Sequence, residues 1–159
     1  MGTTVEIRRA RPSDREAVVA LWRALHAEHE ALDPTYRLAP EAARRWGNDF
    51  NEWVRSTADL LLVADAASED LAGWLTAHLT WPPPIYAQRS LAYVDDVFVR
   101  RERRGEGVGR RLLEGAVAWA RVSGAEELRA GVLAANPQAR SFWQQVGARD
   151  LSVVVALPL

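Results

Sequence analysis

The sequence predicts an α+β fold: a mixed, mostly antiparallel sheet flanked by helices, in the order β-α-α-β-β-β-α-β-α-β. Three observations predict it. Apolar residues recur at helical spacing in several stretches, as with Val18, Leu21, Trp22 and Leu25. Three strand-like runs, residues 60–64, 71–79 and 91–99, follow one another without an intervening helix, as in an antiparallel meander. Only after them does one β-α-β-α-β run appear, which is not the strict alternation of a doubly wound sheet.

Residues 5–9 alternate in polarity and read as the first strand. Ser13 and Glu16 have capping-box spacing, so a helix is expected from there to about Glu28. Asp33-Pro34 breaks that pattern. Pro40 suits the first turn of a second helix, with Trp46, Phe50, Trp53 and Val54 on one face. A turn at residues 66–70 joins the next two strands into a hairpin, and Pro82-Pro83-Pro84 ends it because proline cannot donate to a ladder. The strand at 91–99 is rich in valine and aromatic residues. A helix at 107–122 carries an apolar stripe of Val108, Leu112, Ala116 and Trp119, and a strand at 128–133 follows. Asn136-Pro137 combines an N-cap with proline at the first helical position, and Gly147 suits the end of that helix. Residues 151–157 read as a last strand. Only 12 residues follow Gly147, room for one strand and no hairpin. That leaves an exposed edge, and a homodimer is expected to cover it.

The 159 residues fit one domain, 1–159, with one core. Hydrophobic residues at 48% and charged residues at 26% describe an ordinary globular chain. A net charge of -1 leaves no nucleic-acid footprint. No apolar run approaches the ~20 residues of a membrane span. Residues 1–6 lack a charged segment followed by an apolar one, so a cytoplasmic location is expected. The absence of cysteine excludes disulfides, thiol nucleophiles and cysteine-bound metals. All 20 basic residues are arginine, so there is no lysine for a Walker A loop, a Schiff base or a kinase site.

Between the strand at 91–99 and the next helix lies Arg104-Gly105-Glu106-Gly107-Val108-Gly109-Arg110. Three glycines in five positions let the backbone turn tightly and present its amides to a ligand. The loop opens a helix, whose first N–H groups have no internal partners and attract anions. Arg103, Arg104, Arg110 and Arg111 add positive charge suited to several phosphates. Arg110 stands where a dinucleotide fingerprint needs its third glycine, so that reading fails.

The run Val97-Phe98-Val99, four residues, then Arg104-x-x-Gly107-x-Gly109, resembles the acetyl-CoA signature of the GCN5-related N-acetyltransferase (GNAT) superfamily. A second segment, Asn136-x-x-Ala139-Arg140-x-Phe142-Trp143-x-x-x-Gly147, resembles the family's later helix, and the element order matches along nearly the whole chain. The resemblance implies a GNAT-type fold and direct transfer of an acetyl group from acetyl-CoA to a primary amine. It implies that the backbone of Val97, Phe98 and Val99 pairs with the pantetheine arm as an added strand would. The amides from Gly105 through Glu106, Gly107, Val108 and Gly109 to Arg110 would hold the pyrophosphate. Asn136 would touch the pantetheine, cap its own helix, or do both.

Acyl transfer to an amine needs a base, a polarised carbonyl and a proton for the leaving thiolate. Asp95 and Asp96 are adjacent carboxylates in an apolar strand, and neighbours in a strand are expected to face opposite sides. The family often has an acidic residue at the Asp95 position. Asp95 is therefore the first candidate for base or amine anchor, with Asp96 as the alternate. Trp143 replaces the family's usual tyrosine, and an indole N–H is no acid, so Trp143 is expected to pack on the cofactor. The thiolate proton is left to water, to the substrate ammonium, or to Tyr93, Tyr86 or Tyr36. The junction of the first two helices lines the acceptor site in this family, which nominates Glu28, His29, Asp33 and Tyr36, with Tyr93 on the strand beyond. His26 and His29 share a helix face, but no third ligand stands at metal spacing, so no metal is expected.

Paired carboxylates suit a cationic acceptor: a small-molecule amine or a peptide N-terminus. The rival readings are a non-catalytic acyl-CoA-binding sensor or partner module of the same fold, motivated by Trp143, and an unrelated phosphate-ligand protein that shares only the glycine loop.

Overall fold

The computed structural model describes residues 5–67, 70–88 and 90–159. Five strands form one sheet in the order β1 (Glu6–Arg9), β2 (Asp59–Asp65), β3 (Gly73–Thr80), β4 (Leu91–Val99) and β5 (Glu127–Ala130). The first four are antiparallel neighbours, and β5 joins β4 in parallel. Helices α1 (Arg15–Leu32) and α2 (Ala42–Trp53) cover one face, and α3 (Val108–Val122) covers the other. The fourth helix, α4 (Pro137–Gln145), follows β5.

Strand alternation divides the core. Leu60, Leu62, Leu75 and Val94 pack with Val108, Leu112 and Ala116 of α3. Leu61, Val63, Trp74 and Phe98 pack with Val18, Leu21 and Trp22 of α1 and Phe50 of α2. Trp46 stacks on Trp22 and meets Trp53 and Trp74 edge-on, so the aromatic stripe predicted for α2 is the contact that seats it.

Local signals are met in part. Asn136 caps α4 by accepting from the Ala139 amide at 2.9 Å, and Gly147 ends it at φ 87°. The first helix begins differently. A 3-10 turn, Pro12–Asp14, precedes it, and Asp14 rather than Ser13 makes the box, accepting from the Arg11 amide at 2.6 Å. Arg8 holds the same carboxylate at 2.7 Å, and a charged pair outcompetes the Ser13 hydroxyl. The helix then runs to Leu32, one turn beyond the sequence reading. Two of the positions in the predicted turn at 66–70, and residues 1–4, lie outside the described residues.

The predicted strand at 151–157 is not in the sheet. Residues 151–159 are exposed and pair with no strand among the described residues. No helix of the described residues is long and apolar enough to cross a membrane.

Candidate active site

The glycine loop is built by backbone conformation. Gly105 and Gly107 sit at φ 84° and 80°, where a Cβ costs about 1–2 kcal/mol. A Cβ built on either would meet nothing within 4 Å, so the requirement is torsional rather than one of space. Gly107 is the N-cap of α3 and supplies no side-chain acceptor. The first amides of α3 are therefore left for an acceptor from outside the helix.

A cavity of about 510 Å³ opens beside this loop. Val97, Phe98 and Val99 form one wall, Gly105 and residues 107–110 the floor, and Asn136, Ala139 and Trp143 of α4 the far side. The parallel β4–β5 ladder ends at the Val94–Ala130 pair. Beyond it the strands part, and residues 96–99 of β4 are paired only on the β3 side. An extended ligand can therefore add to β4 along its free backbone edge.

Arg104 is committed to the protein. Its Nε donates to the Val99 carbonyl at 2.9 Å, its Nη2 to both oxygens of Glu28 at 3.0 and 3.1 Å, and its Nη1 to Gln138 at 3.3 Å. The guanidinium also lies over the Phe98 ring. One side chain thus joins the end of β4, α1 and α4 around the cavity. Glu106 does not line the cavity; its carboxylate accepts from Arg103 Nε at 2.8 Å. The predicted arginine-rich rim is thus partly neutralised by the chain's own acids.

Glu28 was expected at the acceptor side, with His29 and Tyr36. The structure separates them. Glu28 lines the glycine-loop cavity and binds Arg101 and Arg104. Burial pushes its carboxyl up, but hydrogen bonds from Arg101 and Arg104 outweigh this and hold it below the usual range. His29 and Tyr36 lie off that cavity, in ring contact at 6.2 Å, and burial lowers the pKa of both His29 and His26.

The two aspartates meet at a bulge. Thr76 pairs with Asp96 and Ala77 with Val94, so Asp95 has no partner opposite on β3. The extra residue breaks the expected alternation. Val94 and Val97, three apart, both pack in the cluster that contains α3. Asp95 reaches His78, with Oδ2 2.9 Å from Nδ1. Burial raises the Asp95 pKa against the pull of His78. Asp96 is half-buried; burial, and then the charge of Asp95, push its carboxyl up to about 7. A carboxyl in that range exchanges protons near neutral pH.

Tyr93 stands beside this pair. Its ring lies 5.8 Å from that of His78. A Cβ built on Gly131 would meet its hydroxyl at 2.9 Å, which places the phenol where β4 and β5 part. Tyr86 and Tyr36 are exposed elsewhere. His78 was missed in the sequence, although an imidazole in an otherwise apolar strand was a signal to follow. Asp59, across from His78 on β2, adds a third negative charge felt by Asp95.

The sequence model of the acetyltransferase (GNAT) family matches residues 20–148. This chain belongs to that family. It is 26% identical over 151 residues to the thialysine N-epsilon-acetyltransferase of Sus scrofa, covering 94% of this chain and 86% of the relative. It is 30% identical over 144 residues to the peptidyl-lysine N-acetyltransferase YjaB of Escherichia coli (strain K12), covering 90% and 81%. Among solved structures, a mutant of the BH1408 protein from Bacillus halodurans superposes with a TM-score of 0.85 at 26% identity, covering 97% of this chain and 99% of that one. The chain is thus an acyltransferase of the GNAT family, a family that generally uses acetyl-CoA.

Proposed function

We propose that this GNAT acyltransferase moves an acetyl group from acetyl-CoA to a lysine-type primary amine by direct transfer, in one domain. The observation that carries the reading is the free edge of β4. Residues 95–99 run from the aspartate pair to the glycine loop, so donor and base share one strand. The residues present fit the donor. Two positive-φ glycines and a helix N-terminus without a side-chain cap suit a pyrophosphate, and the unpaired strand edge suits an amide-bearing arm.

The roles follow from position. An acceptor arriving as an ammonium meets the field of Asp95, Asp96 and Asp59. Asp96 takes the proton, directly or through water. The nitrogen bonds to the thioester carbonyl carbon, the C–S bond breaks, the thiolate takes a proton from Tyr93, and the nitrogen's second proton passes through water to restore the phenol. His78 fixes the Asp95 carboxylate as the amine anchor. Trp143 packs at the cavity wall, with no part in proton transfer. The acceptor class rests on this charge and on the lysine-type substrates in the names of the two relatives. We also infer that the working unit is a homodimer.

Titration with acetyl-CoA, followed by a panel of lysine-type amines assayed for CoA release, tests the reading. Saturable binding that is lost in Gly107→Val is expected; equal affinity in that variant contradicts it.

A further inference from the structure

We propose that His78 is the proton carrier of this site: held at Nδ1 by Asp95, it uses Nε2 to take the acceptor nitrogen's second proton and pass it on to Tyr93. This rests on the transfer reading above and names the side chain on its water path.

The chemistry requires such a group. An ammonium acceptor loses two protons on becoming an amide. Asp96 takes the first. The second leaves once the C–N bond has formed, when Asp96 already holds its proton and Tyr93 has given up its own. A further proton acceptor must therefore stand close to both and in reach of water.

The sheet register puts His78 there. Asp59, His78 and Tyr93 are partners across β2, β3 and β4, so their side chains stand side by side on one face. Thr76 lies two residues back on the same face of β3, and its partner on β4 is Asp96. At ~3.3 Å per residue the two rows lie about 7 Å apart, a span that an amine nitrogen and one water bridge. The His78 ring is 5.8 Å from the Tyr93 ring. The Tyr93 hydroxyl leans toward Gly131, so the hand-over runs through water. The His78 side chain is 39% exposed, which lets that water in.

The imidazole is held as a proton carrier must be. Its Nδ1 lies 2.9 Å from Asp95 Oδ2. A carboxylate that accepts from Nδ1–H fixes the tautomer whose lone pair is on Nε2. That second nitrogen has no hydrogen-bond partner among the described residues. A histidine that served only to hold Asp95 needs one ring nitrogen; the other is left for a proton from outside. The steps balance. The N–H bond breaks, and its proton joins Nε2 through water, leaving an imidazolium between Asp59 and Asp95. The Nε2–H bond then breaks, and the proton joins the Tyr93 phenolate through water. The phenol and the neutral imidazole are restored, and Asp96 releases the other proton to solvent.

His78→Gln separates carrying from holding. Its amide N–H can still donate to Asp95, but no atom of it takes up a proton. The proposal expects kcat to fall about 100-fold in His78→Gln with the KM for the amine changed by less than about twofold. It expects added imidazole to restore turnover in His78→Ala, with circular dichroism showing both variants folded. A readout without substrates accompanies these. The chain has three histidines, and the imidazole nitrogens of His78 are assigned by NMR as those lost in His78→Gln. The neutral ring should carry its proton on Nδ1. A kcat in His78→Gln within about twofold of wild type, failure of imidazole to restore His78→Ala, or a neutral ring protonated on Nε2 overturns the carrier and leaves the transfer reading standing. A wild-type chain that releases no CoA with any amine overturns both.

Discussion

His78 Nδ1 lies 2.9 Å from Asp95 Oδ2, across the bulge that sets Asp96 opposite Thr76 and Val94 opposite Ala77. This contact gives two adjacent carboxylates different surroundings. Asp95 has a partner that favours its ionised form, whereas Asp96 has burial and a negative neighbour that disfavour it.

The pH profile of turnover follows from that difference. Asp96 must be ionised to accept a proton, so kcat rises as pH rises through about 7. Asp96→Asn should lower kcat by roughly 100-fold or more and abolish this limb. A wild-type profile that is retained in the variant assigns the limb to another group.

The same carboxyl affects stability with the opposite sense. Its folded pKa is raised above the ordinary 3.8, so the native state favours the protonated form. That contribution is full at low pH and is lost as pH rises from about 4 to about 7. Asp96→Asn keeps the neutral form at every pH. Its Tm should exceed that of the wild type at about pH 8 and converge with it at about pH 4. Thermal melts across this range check it.

Tyr93 is the phenol at the parting of β4 and β5. Tyr93→Phe should lower kcat about 100-fold with little change in the KM for acetyl-CoA. Tyr36→Phe and Tyr86→Phe should leave kcat within about twofold, because both side chains are exposed away from the cavity.

Glu28 braces Arg101 and Arg104 from α1. Glu28→Ala removes that brace at the end of β4. It should raise the KM for acetyl-CoA roughly tenfold while the KM for the amine changes little. Steady-state kinetics with each substrate varied separately distinguishes this from an acceptor role.

The glycine loop and the ends of α4 were legible in the sequence because their signals are local. Gly105, Gly107, Asn136-Pro137 and Gly147 act through torsions and caps within a few residues, and the structure has each of them in the expected conformation. The surroundings of the aspartates and of Glu28 depend on longer-range geometry. The bulge at Asp95 is a property of the β3–β4 register, and no rule of alternation reveals it. Glu28 belongs with Arg104, 76 positions away, through tertiary packing of α1. Residues 151–159 have strand composition, but a strand also needs an edge to pair with, and composition does not supply one.

The most direct test of the central claim is amine-dependent release of CoA, with mass spectrometry of the acceptor. Purified full chain is incubated with acetyl-CoA and lysine, thialysine or a lysine-containing peptide. Direct transfer predicts free CoA in step with an acceptor carrying one acetyl group on its side-chain amine, and loss of both signals in Asp96→Asn. Saturable acetyl-CoA binding with no acetylated acceptor from a broad panel of amines would contradict it.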